Sequence, residues 1–124
     1  MTQNDAAASE LSRLPPMTHY VLGLLRRAPS APRRSEAEAE VLQERHLGHL
    51  RGLRESGELL AVGPIEGDGE LRGVLIFSTD RPARAQELMR NDPLVAGGYL
   101  LLELHSWFAP AGLGVAHPKT GLPK

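Results

Sequence analysis

The sequence predicts an α+β fold in which two helices cover one face of a four-stranded antiparallel sheet. Apolar, strand-like runs alternate with two helical segments in the order strand, helix, strand, strand, helix, strand. All the aromatic residues fall in the strand-like runs, where aromatic side chains are favoured: Tyr20, Phe77, Tyr99, Trp107 and Phe108. This order is that of a ferredoxin-like βαββαβ sandwich.

The two ends of the chain differ in composition from its middle. Residues 1–16 are small, polar and end in two prolines, so we expect a disordered N-terminal tail, and Met17 is an alternative start of translation. Residues 110–124 are rich in Gly and Pro, which predicts a flexible C-terminal tail. The folded domain is therefore expected over residues 17–109, one unit as the length of 124 residues suggests.

The first half of the domain is a strand, a loop and a long helix. An apolar run over residues 19–26 predicts the strand, and RRAPSAPRR predicts a loop because its prolines interrupt regular structure. Ser35 and Glu38 have the spacing of a capping box, so the helix is expected to begin there. It should run to about Ser56, with Gly57 ending it.

The second half repeats this pattern with a shorter helix. Strands are expected over residues 58–62 and 71–78, joined by GPIEGDGE, whose GDG is a turn rather than a phosphate loop because no Lys or helix follows. Asp80 and Pro82 predict the start of the second helix, with Asp80 as the capping carboxylate. Pro93 limits that helix to about Asn91, and Gly97 and Gly98 lead into the last strand, YLLLELHSWF.

Both outer surfaces of the predicted sheet are apolar, although the helices cover only one. In the last strand Leu100, Leu102, Leu104 and Phe108 share one side, and Tyr99, Leu101 and Trp107 share the other. An uncovered apolar face indicates an interface, so we expect a homodimer packed sheet to sheet. The alternative is that the C-terminal tail folds back over this face.

Composition excludes several classes of partner. A net charge of -1 gives no broad basic surface for nucleic acid. No apolar run approaches the roughly 18 residues of a membrane span, and the acidic N-terminal start is neither a signal nor a transit peptide. The chain has no cysteine, which fits a reducing compartment, so a cytoplasmic location is expected.

A histidine interrupts the apolar stripe of the first helix. At about 100° per residue, His46 lies near the centre of the sector that holds Leu42, Leu50 and Leu53, with His49 at its margin. A buried imidazole needs partners, so His46 is either a hydrogen-bonded core residue or a functional group. Metal binding by His46 and His49 is a weaker alternative, because no carboxylate ligand is identified.

Asp92 is the candidate partner of His46. Its position before Pro93 also suits a turn residue that bonds nearby amides. In the predicted fold the two helices run side by side in one direction, so the end of the second helix approaches the later turns of the first. Asp92 would then fix the imidazole tautomer and leave the other ring nitrogen free as a base.

Several segments together resemble the YciI-like, or YCII-related, family: ERHLGHLRGL, GELLAVGP, LRGVLIF and NDPLVAGGY. The resemblance covers about residues 19–108. It implies a ferredoxin-like dimer with a His and Asp pair, here His46 and Asp92, in a pocket near the subunit contact that Gly63 and Pro64 would line. Most members have no assigned reaction, one relative is similar to a dehydrochlorinase of chlorinated aromatic compounds, and the fold resembles that of muconolactone isomerase. The long N-terminal segment and RRAPSAPRR depart from the family pattern.

These observations favour a small-molecule isomerase or lyase that works by proton transfer. His46 is the expected general base and Asp92 its orienting partner, while Gly63, Pro64 and His49 are assigned to substrate binding. Neither a metal nor an organic cofactor is expected. The alternatives are a non-catalytic dimeric module that binds a small ligand or assists a partner enzyme, and a purely structural His and Asp contact. Five arginines are either ligands for an anionic group or solvated surface: Arg26, Arg27, Arg33, Arg34 and Arg72.

Overall fold

The computed structural model describes residues 15–114, and the expected tails, 1–16 and 110–124, lie largely outside them. The elements follow the expected βαββαβ order, with one additional helical turn before the last strand. They are β1 (Met17–Arg27), α1 (Glu36–Glu55), β2 (Leu59–Pro64), β3 (Leu71–Phe77), α2 (Pro82–Met89), α3 (Pro93–Ala96) and β4 (Leu100–Pro110).

The strands form one antiparallel sheet in the order β2-β3-β1-β4. The central position of β1 is fixed by two long ladders, in which Val21 lies opposite Phe77 of β3 and Ser106 of β4. The described residues therefore confirm the α+β, ferredoxin-like architecture. β2 and β4 are therefore the edges of the sheet.

Helix α1 begins and ends where the sequence predicts. The Ser35 hydroxyl accepts from the Glu38 N–H and the Glu38 carboxylate accepts from the Ser35 N–H, each at 3.1 Å. Hydrogen bonds from the backbone N–H and then the hydroxyl of Ser35 hold the pKa of Glu38 below its usual value. Ser56 ends the helix and Gly57 follows with φ of 82°, a conformation that favours glycine.

The predicted cap of the second helix is wrong. The residue before α2 is Arg81, not Asp80, and no side chain caps this helix. Instead the Arg81 N–H donates to the hydroxyl of Thr79 at 3.1 Å, and Thr79 is the residue before Asp80. Pro82 does stand in the first turn, as expected, because its missing N–H has no helical partner there.

Apolar residues pack on both faces of the sheet, as predicted. The face under the helices holds the main core: Val21, Leu25, Leu50, Leu53, Leu59, Leu75, Phe77, Ala85 and Met89. The other face holds a smaller cluster of Tyr20, Ile76 and Ala109, and Leu113 packs against it from beyond β4. On this second face, Leu101 and Trp107 remain 52% and 37% exposed. Among residues 15–114 there is no helix long and apolar enough to cross a membrane.

Candidate functional site

The structure brings His46 and Asp92 together, although they are separated by 46 positions in the chain. Nδ1 of His46 lies 2.7 Å from Oδ1 of Asp92. His46 is 7% exposed and Asp92 is fully buried, so this is an internal contact between α1 and the segment after α2. The contact that the sequence suggested is present, but the expected common direction of the two helices is wrong. His46 meets Asp92 while His49, later in α1, meets Leu88, earlier in the chain, so the two helices run antiparallel.

Asp92 is held by two backbone groups as well as by the imidazole. It begins α3, where its Oδ2 accepts from the N–H groups of Leu94 at 3.2 Å and Val95 at 3.1 Å. The expected turn role and the contact with His46 are therefore both fulfilled by one carboxylate. An aspartate carboxylate accepts hydrogen bonds and does not donate them, and both of its oxygens have a partner here.

This arrangement assigns the proton on the imidazole. Because the Asp92 carboxylate is an acceptor, Nδ1 of His46 is the donor, and Nε2 of the neutral ring carries the lone pair. Within residues 15–114 no hydrogen-bond partner occupies Nε2. The ring thus has one nitrogen fixed by the protein and one available for a ligand.

His46 lines a cavity of about 660 Å³ between α1, the end of β2 and the start of β3. Gly63 and Pro64 also line it, as the sequence analysis expected. A Cβ added to Gly63 would meet nothing within 4 Å, so the wall is not crowded at this point. The volume is within the range of small-molecule sites, which is roughly 300–1,000 Å³.

His49, the third residue assigned to substrate binding, is placed elsewhere. It is not among the residues that line the cavity, and its Nε2 lies 2.8 Å from the carbonyl oxygen of Leu88. The bond connects α1 to α2 inside the helical layer. His49 lies on the same helical face as His46, but its ring is held by α2 and not by the cavity. Nor does the described part of the chain contain a cluster of three His, Asp or Glu side chains that would suit a metal ion.

Arginines converge on the same cavity from four segments of the chain. Arg27, Arg34 and Arg72 were candidates from sequence and line it, whereas Arg26 and Arg33 do not. Arg26 instead pairs with Glu103 at 3.0 Å on the second face of the sheet.

Sequence reasoning missed Arg51 and Arg54, which also line the cavity. Arg51 is exposed to solvent and also lines the cavity from α1. His46, Leu47, Leu50 and Arg54 lie along one face of α1. This shared face was the sequence signal that could have placed Arg54 at the cavity. Arg54 donates to the carbonyl of Leu60, which connects the end of α1 to β2.

Two glycines position an aromatic wall of the cavity. Gly97 passes so close to the Tyr99 ring that an added Cβ would lie 2.8 Å from it, and Gly98 has φ of 80°. The chain can therefore turn tightly from α3 into β4 and place Tyr99 at the cavity. The guanidinium carbon of Arg34 lies 4.4 Å from the centre of the Tyr99 ring, a cation–π distance.

The fold and the buried His and Asp pair define a ferredoxin-like α+β domain with a histidine-bearing cavity. A family model described as the YCII-related domain matches residues 23–107, more than half of the chain, and the chain belongs to this family. No curated protein sequence matches it significantly.

Among solved structures, the chain is similar to 5-chloro-2-hydroxyhydroquinone dehydrochlorinase (TftG) from Burkholderia phenoliruptrix AC1100, in a complex with 2,5-dihydroxybenzoquinone. The identity is 18% and the TM-score 0.50, and the match covers 71% of this chain and 92% of that one. At this identity the likeness shows a shared fold.

Proposed function

We propose that this protein is a small-molecule enzyme that catalyses proton transfer, as a dehydrochlorinase-like lyase or an isomerase. His46 is the general base through Nε2, and Asp92 holds and orients its ring. The observation that carries this proposal is the buried His46–Asp92 contact with the second ring nitrogen left to a cavity. A purely structural histidine would not need a cavity beside its free nitrogen.

In the elimination, Nε2 of His46 takes a proton from a carbon or hydroxyl of the substrate's keto tautomer, in which the carbon that bears the chlorine is tetrahedral. The electron pair released forms a new π bond, the carbon–chlorine bond breaks, and chloride leaves with its electrons, so that HCl is lost overall. In the isomerisation, the same nitrogen returns the proton at a different carbon. Gly63 and Pro64 form the wall against which the substrate is bound.

The family membership and the fold shared with a dehydrochlorinase support this class of reaction. The acidity of such substrates increases when negative charge is stabilised as it develops, and guanidinium groups around the cavity supply that stabilisation. We include no metal or organic cofactor in the reaction, because both reactions begin with a proton transfer that an imidazole can perform.

A panel of chlorinated hydroxyhydroquinones and unsaturated lactones tests the proposal. Turnover is followed by chloride release for the first group and by ultraviolet absorbance for the second. His46→Asn keeps a donor for Asp92 but removes Nε2, so we expect roughly a 10²- to 10⁴-fold loss of kcat. His19→Asn is the matched control, because His19 is exposed at the start of β1 and does not line the cavity. Full turnover by His46→Asn would refute the assignment of the base.

Binding without turnover is the alternative that this panel also tests. If ligands shift the melting temperature but no member of the panel is converted, the cavity belongs to a ligand-binding or accessory module. His46 and Asp92 would then be recognition groups, and His46→Asn would weaken binding rather than kcat.

A second copy of the chain is proposed to cover the second face of the sheet. Leu101 and Trp107 are the exposed apolar residues there, and the charges of Arg26 and Glu103 neutralise each other beside them. A two-fold related copy would bury both apolar side chains. We expect a dimer by light scattering at micromolar concentration and dissociation of Leu101→Glu; a wild-type monomer would contradict this. A cytoplasmic location, testable by cell fractionation, completes the proposal.

A further inference from the structure

The charge of the cavity wall differs from that of the whole chain. Five arginines line the cavity and no aspartate or glutamate does, although the chain as a whole has a net charge of -1. The carboxylate of Asp92, which bonds to His46, is fully buried and does not line the cavity. The arginine wall consists of Arg27, Arg34, Arg51, Arg54 and Arg72.

Two arginines elsewhere in the described chain have carboxylate partners. Arg26 pairs with Glu103, and Arg84 pairs with Glu58 and Glu87. Within residues 15–114 no member of the arginine wall has a carboxylate partner.

Those members of the arginine wall that have contacts are held by uncharged groups. Arg72 donates to the carbonyls of Gly67 at 2.8 Å and Gly69 at 3.3 Å, and Arg54 to that of Leu60. Arg34 stacks on Tyr99. Carbonyls and an aromatic ring orient a guanidinium group without neutralising it, so its positive charge is retained toward the cavity.

The rest of the wall is apolar, which indicates the size and character of the missing partner. Leu25, Leu50 and Leu100 line the cavity together with the Tyr99 ring. A bare inorganic anion would leave this apolar surface uncovered. A small organic molecule with a planar ring and a carboxylate would contact both parts of the wall, because a guanidinium group binds a carboxylate through two parallel hydrogen bonds.

We propose that the substrate is a cyclic organic acid whose carboxylate binds to the arginine wall while its ring lies against the leucines beside Nε2 of His46. The inference rests on the proposed function in that it names the substrate class of the same site. The positive wall also stabilises the negative charge that develops as Nε2 removes a proton. Arg34 and Arg51 are accordingly specificity-determining residues.

The probe is 2,5-dihydroxybenzoate, compared with 2,5-dihydroxybenzamide, which has the same ring and no charge, and with inorganic phosphate. Binding to the full chain is measured by NMR titration, which detects millimolar dissociation constants. We expect the carboxylate to bind roughly tenfold or more tightly than the amide, and more tightly than phosphate. Equal binding of carboxylate and amide would overturn the proposal, and phosphate binding as tight as that of the ring acid would overturn the assignment to an organic acid.

Two matched pairs of variants test the residues. Arg51→Gln on α1 is compared with Arg45→Gln on the same helix, and Arg34→Gln with its neighbour Arg33→Gln, since neither control residue lines the cavity. These arginines are exposed, so we expect about a three- to tenfold weaker binding for the lining variants and no change for the controls. Equal effects in both members of a pair would refute a specific site.

These binding experiments and the turnover experiments can fail separately. If the carboxylate binds selectively but no substrate is converted, the proton-transfer function fails and the substrate class stands for a binding module. If His46→Asn abolishes the turnover of an uncharged compound that binds as well as its acid analogue, proton transfer stands and the present inference fails.

Discussion

Two hollows of nearly equal size border the helical layer in residues 15–114, and they differ in their chemistry. The first, about 660 Å³, lies beside α1 and contains His46 and the arginine wall. The second, about 640 Å³, lies between α2, α3 and β4, and its single charged lining residue is Arg90. Volume therefore does not distinguish a candidate site from a packing groove in this part of the chain. The ionisable groups do, because only the first hollow has a base with a free nitrogen and an excess of one charge.

Asp92 shows how the two sides of the layer depend on each other. It follows α2 in the chain and begins α3, on the side of the second hollow. Its carboxylate nevertheless serves the first hollow through His46. The segment that follows α2 therefore orients the histidine of the first hollow.

Removal of the Asp92 carboxylate is the change with the largest expected effect. Asp92→Ala leaves the Nδ1–H of His46 and two backbone N–H groups without their buried acceptor. We expect a loss of about 3–5 kcal/mol in the free energy of unfolding, measured with urea. Asp80→Ala is the matched control, since Asp80 also precedes a helix but caps nothing, and should change stability by less than about 0.5 kcal/mol. Equal effects of the two substitutions would mean that the buried contact contributes no more than a surface carboxylate.

A bulky side chain placed in each hollow in turn tests which of the two binds the ligand. Leu47→Trp adds bulk to the first hollow and Gln86→Trp to the second, and both positions are exposed on helices. We expect 2,5-dihydroxybenzoate to bind on the order of 100-fold more weakly to Leu47→Trp and unchanged to Gln86→Trp, because steric exclusion forfeits most contacts of a small ligand. NMR titration measures both. A loss confined to Gln86→Trp would transfer the ligand site to the second hollow.

Much of the fold was predictable because local signals and the global architecture agree. The capping box at Ser35 fixed the start of α1, and each strand was predicted to within about two residues of its ends. The contact between His46 and Asp92 was predicted from the sequence, although the helices are antiparallel and the end of α2 meets the middle of α1 rather than its later turns. The family assignment rested on the same segments.

The parts that could not be predicted depend on tertiary geometry. Asp80 has the sequence signature of a cap, yet the chain enters α2 through Arg81 and the carboxylate is left outside. Arg51 lies at the boundary between cavity and water, a distinction that helical periodicity alone does not resolve. His49 shares the stripe of His46, but the position of α2 decides that it meets the Leu88 carbonyl rather than the cavity.

A smaller effect is expected from His49, which connects α1 to α2. His49→Ala removes the hydrogen bond to the Leu88 carbonyl and should cost about 1 kcal/mol of unfolding free energy. Because the side chain does not line the first hollow, the affinity for 2,5-dihydroxybenzoate should stay unchanged. Calorimetric unfolding and NMR titration provide the two measurements. Weakened binding without a loss of stability would restore His49 as a substrate-binding residue.

The smallest effect concerns the first turns of α1 and α2, which are capped differently. α1 has a capping box and α2 has no side-chain cap. Since Ser35 lowers the pKa of Glu38 from 4.5, the stability that Glu38 contributes is present above that pH and is lost as the pH falls through the folded value.

Glu38→Gln should therefore lose less stability than wild type when the pH is lowered below 4.5. Glu36→Gln, which alters the same helical turn outside the capping box, should keep the wild-type slope. Urea unfolding over a pH series measures both curves. Parallel curves for wild type and Glu38→Gln would show that the capping box does not account for the acid sensitivity of the protein.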